Sequence, residues 1–193
     1  RAAVVSGSIG LPWAAHAEFM IASGSAAWPL GELLNFGLYP IDGLRAVLGL
    51  EVRSVYATVN NSFYAGAADD LSVLAMTFDH GVVATTSVGR APTKGHPNGY
   101  GGDRRMRIMG SHGTLVVDAG GPSLAVYAGG RAEQRYYGAE SLSRLIDHLV
   151  GVVRGTHQPE LGIRDARAAL EVVLAARKSA AENRLVTLDG GLT

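Results

Sequence analysis

Hydrophobic and polar positions alternate along residues 13–21, the first clearly patterned segment of the chain. The odd-numbered positions are apolar, whereas His16, Glu18 and Met20 occupy the even-numbered positions. A repeat of two residues is typical of a strand, because successive side chains point to opposite faces of a sheet. We therefore predict a strand here, preceded by the end of a helix over residues 1–6.

A helical repeat follows over residues 33–48, where apolar positions recur every three or four residues. Gly49 ends this predicted helix, because glycine adopts the left-handed conformation of a helix cap without steric cost. Pro40 lacks the N–H that would bond to the Phe36 carbonyl. We therefore expect the helix either to start near Phe36, with Pro40 in its first turn, or to kink at Pro40.

Strand-like runs fill the middle of the chain, at residues 51–63, 71–78, 82–90, 104–109, 114–118 and 124–128. Short glycine-containing connections at residues 79–81 and 111–113 favour hairpins. Two predicted helices, at residues 140–154 and 163–182, and a short strand at residues 185–188 close the chain. Because the strands are grouped with the helices outside the group, the pattern predicts an α+β fold, an open, mainly antiparallel sheet of about six to eight strands with helices packed on one face.

The run at residues 71–78 is apolar at both alternating sets of positions, which are Leu71, Val73 and Ala75, and Leu74, Met76 and Phe78. Such a strand is typical of a sheet with both faces covered. Since helices cover one face, we expect a second copy of the chain to cover the other, giving a homodimer or higher homo-oligomer. The alternative is that both faces are covered within one chain.

Composition and charge narrow the class of protein. Lys and Arg number 17, as do Asp and Glu, so no net positive charge attracts nucleic acid or an anionic membrane surface. The chain contains no Cys, which excludes disulfides and thiolate metal sites. No apolar run reaches the roughly 20 residues of a membrane-spanning helix. We expect neither a nucleic acid nor a membrane as partner, and we expect no metal, because no two of the His residues have ligand spacing.

The first residue is Arg1, and the first methionine is Met20, inside a predicted strand. We therefore expect the chain to begin partway into a longer open reading frame. A cytoplasmic location is the default expectation, since a targeting signal upstream of Arg1 would not be visible.

Residues 91–102, rich in Gly, Asn and Pro, form the longest irregular stretch of the chain. Long loops on rigid sheets often bind ligands, so we name His96 in this stretch and Arg90 before it as candidate substrate contacts.

Arg104, Arg105 and Arg107 form a basic cluster on one predicted strand. Charged side chains are common on edge strands because they oppose pairing with another chain. We interpret the cluster as a solvated strand edge, and an anion-binding site is the alternative.

The most informative polar residues lie where a loop runs into the predicted helix at residues 33–48. Asn35, Tyr39 and Asp42 stand at positions i, i+4 and i+7, so an amide, a phenol and a carboxylate share one helix face. We expect them to project into a common cleft. The alternative is a polar helix face on which Tyr39 is half-buried.

The segment that carries these residues is Gly31-Glu-Leu-Leu-Asn35-Phe-Gly37-Leu-Tyr39-Pro-Ile-Asp42. It resembles the start of the C-terminal domain of the glucose-fructose oxidoreductase and inositol dehydrogenase superfamily (Gfo/Idh/MocA). Residues 82–90 resemble the family's central strand, residues 107–118 its G-x-x-G-x-L hairpin, and residues 165–188 its closing helix and strand. The order and spacing of these segments together carry the resemblance.

The resemblance implies a two-domain NAD(P)-dependent oxidoreductase, of which residues 1–193 are the C-terminal substrate-binding and oligomerisation domain. The N-terminal Rossmann domain would hold NAD or NADP and is then absent from this chain, so we assign no cofactor-binding residue here. The family's catalytic lysine lies in a Glu-Lys-Pro motif of that domain. Lys94 and Lys178 of this chain lie in no such motif.

Two positions depart from the family's pattern. Asn35 matches the usual Asp, and Tyr39 matches the usual His four residues later. Tyr at this position resembles the glucose-fructose oxidoreductase and dihydrodiol dehydrogenase branch, in which the phenol is the proposed acid/base. A phenol has a pKa of about 10 in water, and a nearby ammonium lowers it by stabilising the phenolate. The resemblance implies that Tyr39 exchanges a proton with a substrate hydroxyl and that Asn35, which does not titrate, orients the substrate.

We therefore expect the intact protein to act on a sugar, a polyol or a related alcohol or carbonyl compound, and this chain alone to be inactive. Tyr39 is the predicted catalytic residue, and the predicted substrate-binding residues are Asn35, Asp42, Arg90 and His96. The alternative is a non-catalytic ligand-binding or assembly domain of the same fold, which the replacement of Asp by Asn35 favours.

Overall fold

A computed structural model of the chain describes residues 1–22, 28–63, 66–91, 103–121, 123–136 and 141–188. Its helices are α1 (Ala2–Val5), α2 (Glu32–Phe36), α3 (Leu38–Leu48), α4 (Ser141–Val153) and α5 (Ile163–Glu182). Its strands are β1 (Pro12–Ala22), β2 (Val52–Asn60), β3 (Leu71–Phe78), β4 (Val83–Ala91), β5 (Asp103–Gly110), β6 (Gly113–Asp118), β7 (Ser123–Ala128), β8 (Arg131–Tyr136) and β9 (Val186–Thr187).

The described strands form one nine-stranded sheet in the order β8-β7-β6-β5-β1-β4-β3-β2-β9. Neighbouring strands run antiparallel, except that β1 and β4 are parallel. The predicted α+β class with a mainly antiparallel sheet is confirmed. The sequence pattern missed β8, because all of its residues are exposed and it therefore lacks an apolar alternation.

Helices α2, α3 and α5 pack over one face of the sheet, which we call the helix-covered face. Alternate residues of the central strands point into this layer, so Ala15 and Ala17 of β1 and Ile108 of β5 are buried. The helices supply the facing apolar side chains, including Leu33, Ile41, Leu44, Val172 and Val173. The core of the molecule therefore lies between the sheet and these three helices.

We call the opposite side of the sheet the open face. Val73 of β3 is 45% exposed and Val83 of β4 is 52% exposed, and Ala75 lies uncovered between them. The described residues thus leave apolar side chains of this face in contact with solvent.

The predicted helix at residues 33–48 is divided at Gly37 into α2 and α3. A Cβ at Gly37 would collide with the Leu33 carbonyl oxygen, so the close approach at the junction requires glycine. Pro40 is the third residue of α3, a first-turn position where no intrahelical N–H is needed. Gly49 ends α3 with a φ of 69°, as the sequence predicted.

Both predicted hairpin connections are confirmed, one joining β3 to β4 and the other joining β5 to β6. In the first, His80 (φ 58°) and Gly81 (φ 75°) both have positive φ, which a type I′ hairpin turn requires.

The interpretation of the basic cluster as a strand edge is wrong. Arg104, Arg105 and Arg107 lie on β5, which is paired on one side with β1 and on the other with β6. Alternation places Arg104 on the helix-covered face, whereas Arg105 and Arg107 are exposed on the open face.

Helix α4 differs from the other long helices because its apolar stripe is exposed, with Leu145, Ile146, Leu149, Val150 and Val153 all open to solvent. Across the described ranges, no helix combines the length and the apolar character that crossing a membrane demands.

Candidate functional site

The candidate site begins at the turn before α2, where Gly31 and Asp69 meet. Gly31 has a φ of 93°, and a Cβ at this position would collide with the Asp69 carboxylate. Oδ1 of Asp69 accepts a hydrogen bond of 2.8 Å from the Leu33 N–H, and the backbone oxygen of Asp69 accepts one of 3.2 Å from the Glu32 N–H. Burial raises the pKa of Asp69, although hydrogen bonds from Leu33 and Ser72 act in the opposite direction. These contacts fix the start of α2.

A buried ion pair holds α2 against β4. Glu32 is 0% exposed, and its Oε1 accepts a hydrogen bond of 2.9 Å from Nε of Arg90. The Arg90 guanidinium also lies 5.5 Å from the centre of the Phe36 ring. The Glu32 carboxylate accepts further bonds of 3.1 Å from the Trp28 N–H and from Nδ2 of Asn35. Because one buried carboxylate receives all these donors, Glu32 sets the orientation of both Arg90 and the Asn35 amide.

Tyr39 stands at the surface on an aromatic support. The residue is 62% exposed, and its ring stacks on Phe19 of β1 with the ring centres 4.9 Å apart and the planes 11° apart. Phe36 lies 5.4 Å from Phe19 and completes the group. Such aromatic pairs contribute about 0.5–1.5 kcal/mol beyond their buried area. The Tyr39 ring is therefore held in a defined position while its side chain remains accessible.

An open cavity of about 250 Å³ adjoins the Tyr39 ring. Its lining includes Phe19, Tyr39, Pro40, Arg104, Met106 and Val117. A phenol and a guanidinium thus border one concave space on the helix-covered side of the sheet.

Asp42 belongs to a different group of charges, around Arg45. Its Oδ1 lies 3.4 Å from Nη1 of Arg45, whose Nη2 donates a hydrogen bond of 2.7 Å to Glu51 and lies 3.8 Å from Asp165 of α5. Burial raises the pKa of Asp42, with Arg45 acting in the opposite direction. This network joins α3 to the start of α5.

The structure brings some predicted site residues together and separates others. Asn35 and Arg90 meet at Glu32, Tyr39 packs on Phe19 at the adjoining cavity, and Asp42 pairs with Arg45. The predicted contact residue His96 lies outside the described residues. The roles assigned to all five predicted residues stay predictions.

Sequence reasoning missed two residues that shape the site, Glu32 and Phe19, and it gave Arg104 an anion-binding role only as the alternative to a strand edge. Glu32 had a local signal, because an acidic residue directly after the required Gly31 begins a helix. In the sequence, Phe19 occupies an ordinary apolar position of an alternating strand, and Arg104 was assigned to a strand edge. Their roles depend on neighbours far apart in sequence, which periodicity does not reveal.

Within the described ranges, no three His, Asp or Glu side chains gather into a group that could hold a metal ion.

Comparison with known proteins gives both a family match and structural matches. The model of the GFO/IDH/MocA C-terminal domain matches residues 1–116, which include Asn35, Tyr39 and Asp42. The uncharacterised oxidoreductase YrbE of Bacillus subtilis (strain 168) is 29% identical to this chain over 97 residues, which are 48% of this chain and 27% of YrbE.

Among solved structures, a protein from Thermotoga maritima matches with a TM-score of 0.83 at 19% identity, over 97% of this chain and 58% of that protein. The WlbA dehydrogenase from Bordetella pertussis, solved in complex with NADH and UDP-GlcNAcA, matches with a TM-score of 0.72 at 22% identity, over 96% of this chain and 57% of WlbA. At these identities the likeness shows the fold. This chain spans little more than half the length of either solved protein.

Proposed function

This chain belongs to the GFO/IDH/MocA C-terminal domain family, and on that premise we propose that it forms the substrate-binding part of an NAD(P)-dependent oxidoreductase. The proposed substrate is a sugar, a polyol or a related alcohol or carbonyl compound. The observation that carries the proposal is the exposed phenol of Tyr39, held on Phe19 beside a cavity. The NADH and UDP-GlcNAcA bound by WlbA support a nicotinamide cofactor and a sugar-derived substrate.

Tyr39 is the proposed proton carrier of the reaction. During oxidation its oxygen would take the proton of the substrate hydroxyl, and during reduction it would return that proton to the carbonyl oxygen. The nicotinamide, when bound, supplies or accepts the hydride. The chain contains no G-x-G-x-x-G sequence, so we assign the cofactor to a separate Rossmann domain of the intact protein.

Asn35 is the proposed orienting residue. Its Nδ2 donates to Glu32, which leaves Oδ1 of the same amide to accept a hydrogen bond from a substrate hydroxyl. The contacts of Arg90 and Asp42 with substrate remain predictions, and both side chains already hold ion-pair partners, Glu32 and Arg45 respectively.

Substitution of Tyr39 by Phe in the intact enzyme tests the proposal. We expect Y39F to lower kcat by about 10²- to 10⁴-fold, because proton transfer to a positioned group is lost. The affinity for NAD(P)H, measured by fluorescence titration, should stay nearly unchanged. Y127F is a matched control, since Tyr127 is also exposed, but its strand β7 lies three strands away from β1, which carries the Phe19 ring under Tyr39. A Y39F enzyme with the wild-type rate would overturn the assignment.

A non-catalytic ligand-binding or assembly domain is the second candidate, and Asn35 is the observation that favours it. Where the family's carboxylate can titrate, an amide cannot. The open reading frame upstream of Arg1 separates the two candidates. A strand followed by G-x-G-x-x-G and a helix, with Glu-Lys-Pro further on, supports the enzyme, whereas the absence of both motifs supports the second candidate.

We further propose that the open face of the sheet is the contact between copies of this chain. The support is the exposure of Val73, Ala75 and Val83 on adjacent strands of that face. Burying such side chains against a second copy would remove apolar area from water, at about 25 cal/mol per Å².

A further inference from the structure

Arg104 of β5 stands beside the proposed catalytic phenol. In the antiparallel pair of β1 and β5, Arg104 is the direct partner of Phe19, whose ring stacks on Tyr39. Side chains that are directly opposite each other in such a pair have Cβ atoms about 4.5–5.5 Å apart. Arg104 and Tyr39 therefore flank the same aromatic ring, and both line the 250 Å³ cavity.

The Arg104 guanidinium has no carboxylate partner among the described residues, and its buried Nε makes no hydrogen bond there. Other arginines of the chain contrast with it, because Arg45, Arg90 and Arg105 each lie within ion-pair distance of a carboxylate. Partly buried cations are costly unless they are paired. A buried polar atom without a partner is the kind of group that a bound ligand satisfies.

Among the described residues that line this cavity, Glu18 supplies the carboxylate, and it does not pair with Arg104. Glu18 lines the cavity along β1, but it alternates with Phe19 and its side chain lies on the open face. There its Oε1 lies 4.0 Å from Nη1 of Arg105. The cavity side of β5 thus carries a positive charge that Glu18 does not neutralise.

We propose that Arg104 binds an oxyanion group, a carboxylate or a phosphate, carried by the substrate of the proposed oxidoreductase. A guanidinium presents its N–H donors as a planar fork that matches the oxygens of either group. The cavity of about 250 Å³ has room for an oxyanion and the hydroxyl-bearing carbon next to it. The proposal rests on the proposed function for its account of catalysis, while the binding step stands on the geometry of this chain.

The geometry also predicts discrimination against neutral substrates. A neutral sugar offers Arg104 only hydroxyl oxygens, which accept weaker hydrogen bonds than a carboxylate or a phosphate and leave the guanidinium charge without a counter-charge, so we expect the uncharged analogue to bind less well. An anion anchored by Arg104 would in turn place a neighbouring hydroxyl near the Tyr39 phenol.

Direct binding to the 193-residue chain tests the proposal without catalysis. The chain is titrated with D-glucuronate, D-glucose 6-phosphate and D-glucose at constant ionic strength, and NMR follows the Arg104 Nε–H signal. We expect saturable binding of glucuronate, of glucose 6-phosphate or of both, and no such binding of glucose. Comparison of the two charged sugars tells a carboxylate site from a phosphate site.

Two variants of Arg104 and one control make the titration specific. R104Q should weaken binding of the charged sugar by about tenfold or more, and R104K should retain part of it. R107Q is the matched control, since Arg107 is exposed on the opposite face of the same strand. Thermal unfolding checks that each variant is folded. If R104Q is not folded, the binding affinity of R104K tests the contribution of Arg104. Equal binding of charged and neutral sugars, or unchanged binding by both Arg104 variants, would overturn the proposal.

Steady-state kinetics of the intact enzyme separates this inference from the proposed function. R104Q should lower kcat/KM for the charged substrate and leave that for a neutral one nearly unchanged, whereas Y39F should lower kcat for both. Arg104-dependent binding without any nicotinamide-linked turnover would refute the proposed function alone. If the enzyme turns over neutral sugars, Y39F lowers that turnover and R104Q changes no rate or affinity, this inference alone is refuted.

Discussion

Glu32 is the single residue on which the geometry of the candidate site depends most. It is fully buried and receives hydrogen bonds from Arg90 of β4, from Asn35 of α2 and from the Trp28 backbone. It therefore links the sheet to the helix that carries the substrate-orienting amide. A carboxylate in this position acts through its neighbours, because its own oxygens are occupied.

We predict that E32Q destabilises the chain by about 3 kcal/mol, since it removes the carboxylate charge from a buried ion pair and weakens the charge-assisted hydrogen bonds that Glu32 accepts. Urea unfolding followed by circular dichroism measures this loss. E133Q is the matched control, because Glu133 of β8 is exposed and pairs only at 3.7 Å with the exposed Arg135. Its free energy of unfolding should change by no more than about 0.5 kcal/mol. Equal effects of the two substitutions would contradict the role given to Glu32.

At the scale of elements, short turns between strands are held by side chains from neighbouring segments. Asp79 begins the turn between β3 and β4, and its carboxylate accepts hydrogen bonds from Nε of Arg53 on β2 and from the Glu51 N–H. The Arg53 side chain, followed by the Glu51 N–H, holds the pKa of Asp79 below its usual value. The turn is thereby tied to the start of β2.

We predict that D79N is less stable than wild type and that the difference in the free energy of unfolding depends on pH. Because the pKa of Asp79 is lower in the folded chain than in the unfolded chain, its contribution is present above about pH 4 and is lost as the pH falls through the folded value. D79N should be less stable than wild type at pH 7 by about 0.5–1 kcal/mol, the range for a partly exposed ion pair. The difference should shrink toward zero in acid.

Urea unfolding of the wild type and D79N at a series of pH values from 7 to below 3 measures this difference. R53Q removes the ion-pair partner of Asp79 and should lower the free energy of unfolding at pH 7 by a similar amount. The double variant of D79N and R53Q should show no further loss. A difference between wild type and D79N that stays constant over this pH range would rule out the ion pair as its cause.

At the scale of the whole molecule, the described residues cover the sheet on one side only. The described helices α2, α3 and α5 lie on the helix-covered face, while Val73 and Val83 remain exposed on the open face. The proposed site lies on the helix-covered side, so pairing of two chains through their open faces would leave the cavity accessible.

We predict that the chain is a dimer or larger oligomer and that V73K shifts it toward monomer, because a lysine ammonium at the proposed contact must be desolvated. Size-exclusion chromatography with light scattering measures the mass. L174K is the matched control, since Leu174 of α5 is 49% exposed, close to the 45% of Val73, but lies on the helix side. A wild-type chain that elutes as a monomer, or identical masses for V73K and wild type, would defeat the proposal.

Local patterning determined most of the elements, because the period of two or 3.6 residues is itself a property of strands and helices. The bounds of β3 and α5, both hairpin turns and the cap at Gly49 followed from the sequence. The exposed strand β8 was missed, because its polar residues carry no such pattern.

The tertiary structure alone decided which chemical groups meet. The Glu32–Arg90 pair joins residues 58 positions apart. Arg104 lies opposite Phe19 and lines the same cavity as Tyr39 only because β5 pairs with β1 inside the sheet. The family resemblance singled out Tyr39, but the neighbours of its ring depend on strand order. Side-chain periodicity tells which face a residue occupies, whereas partners across strands are set by the global packing of the chain.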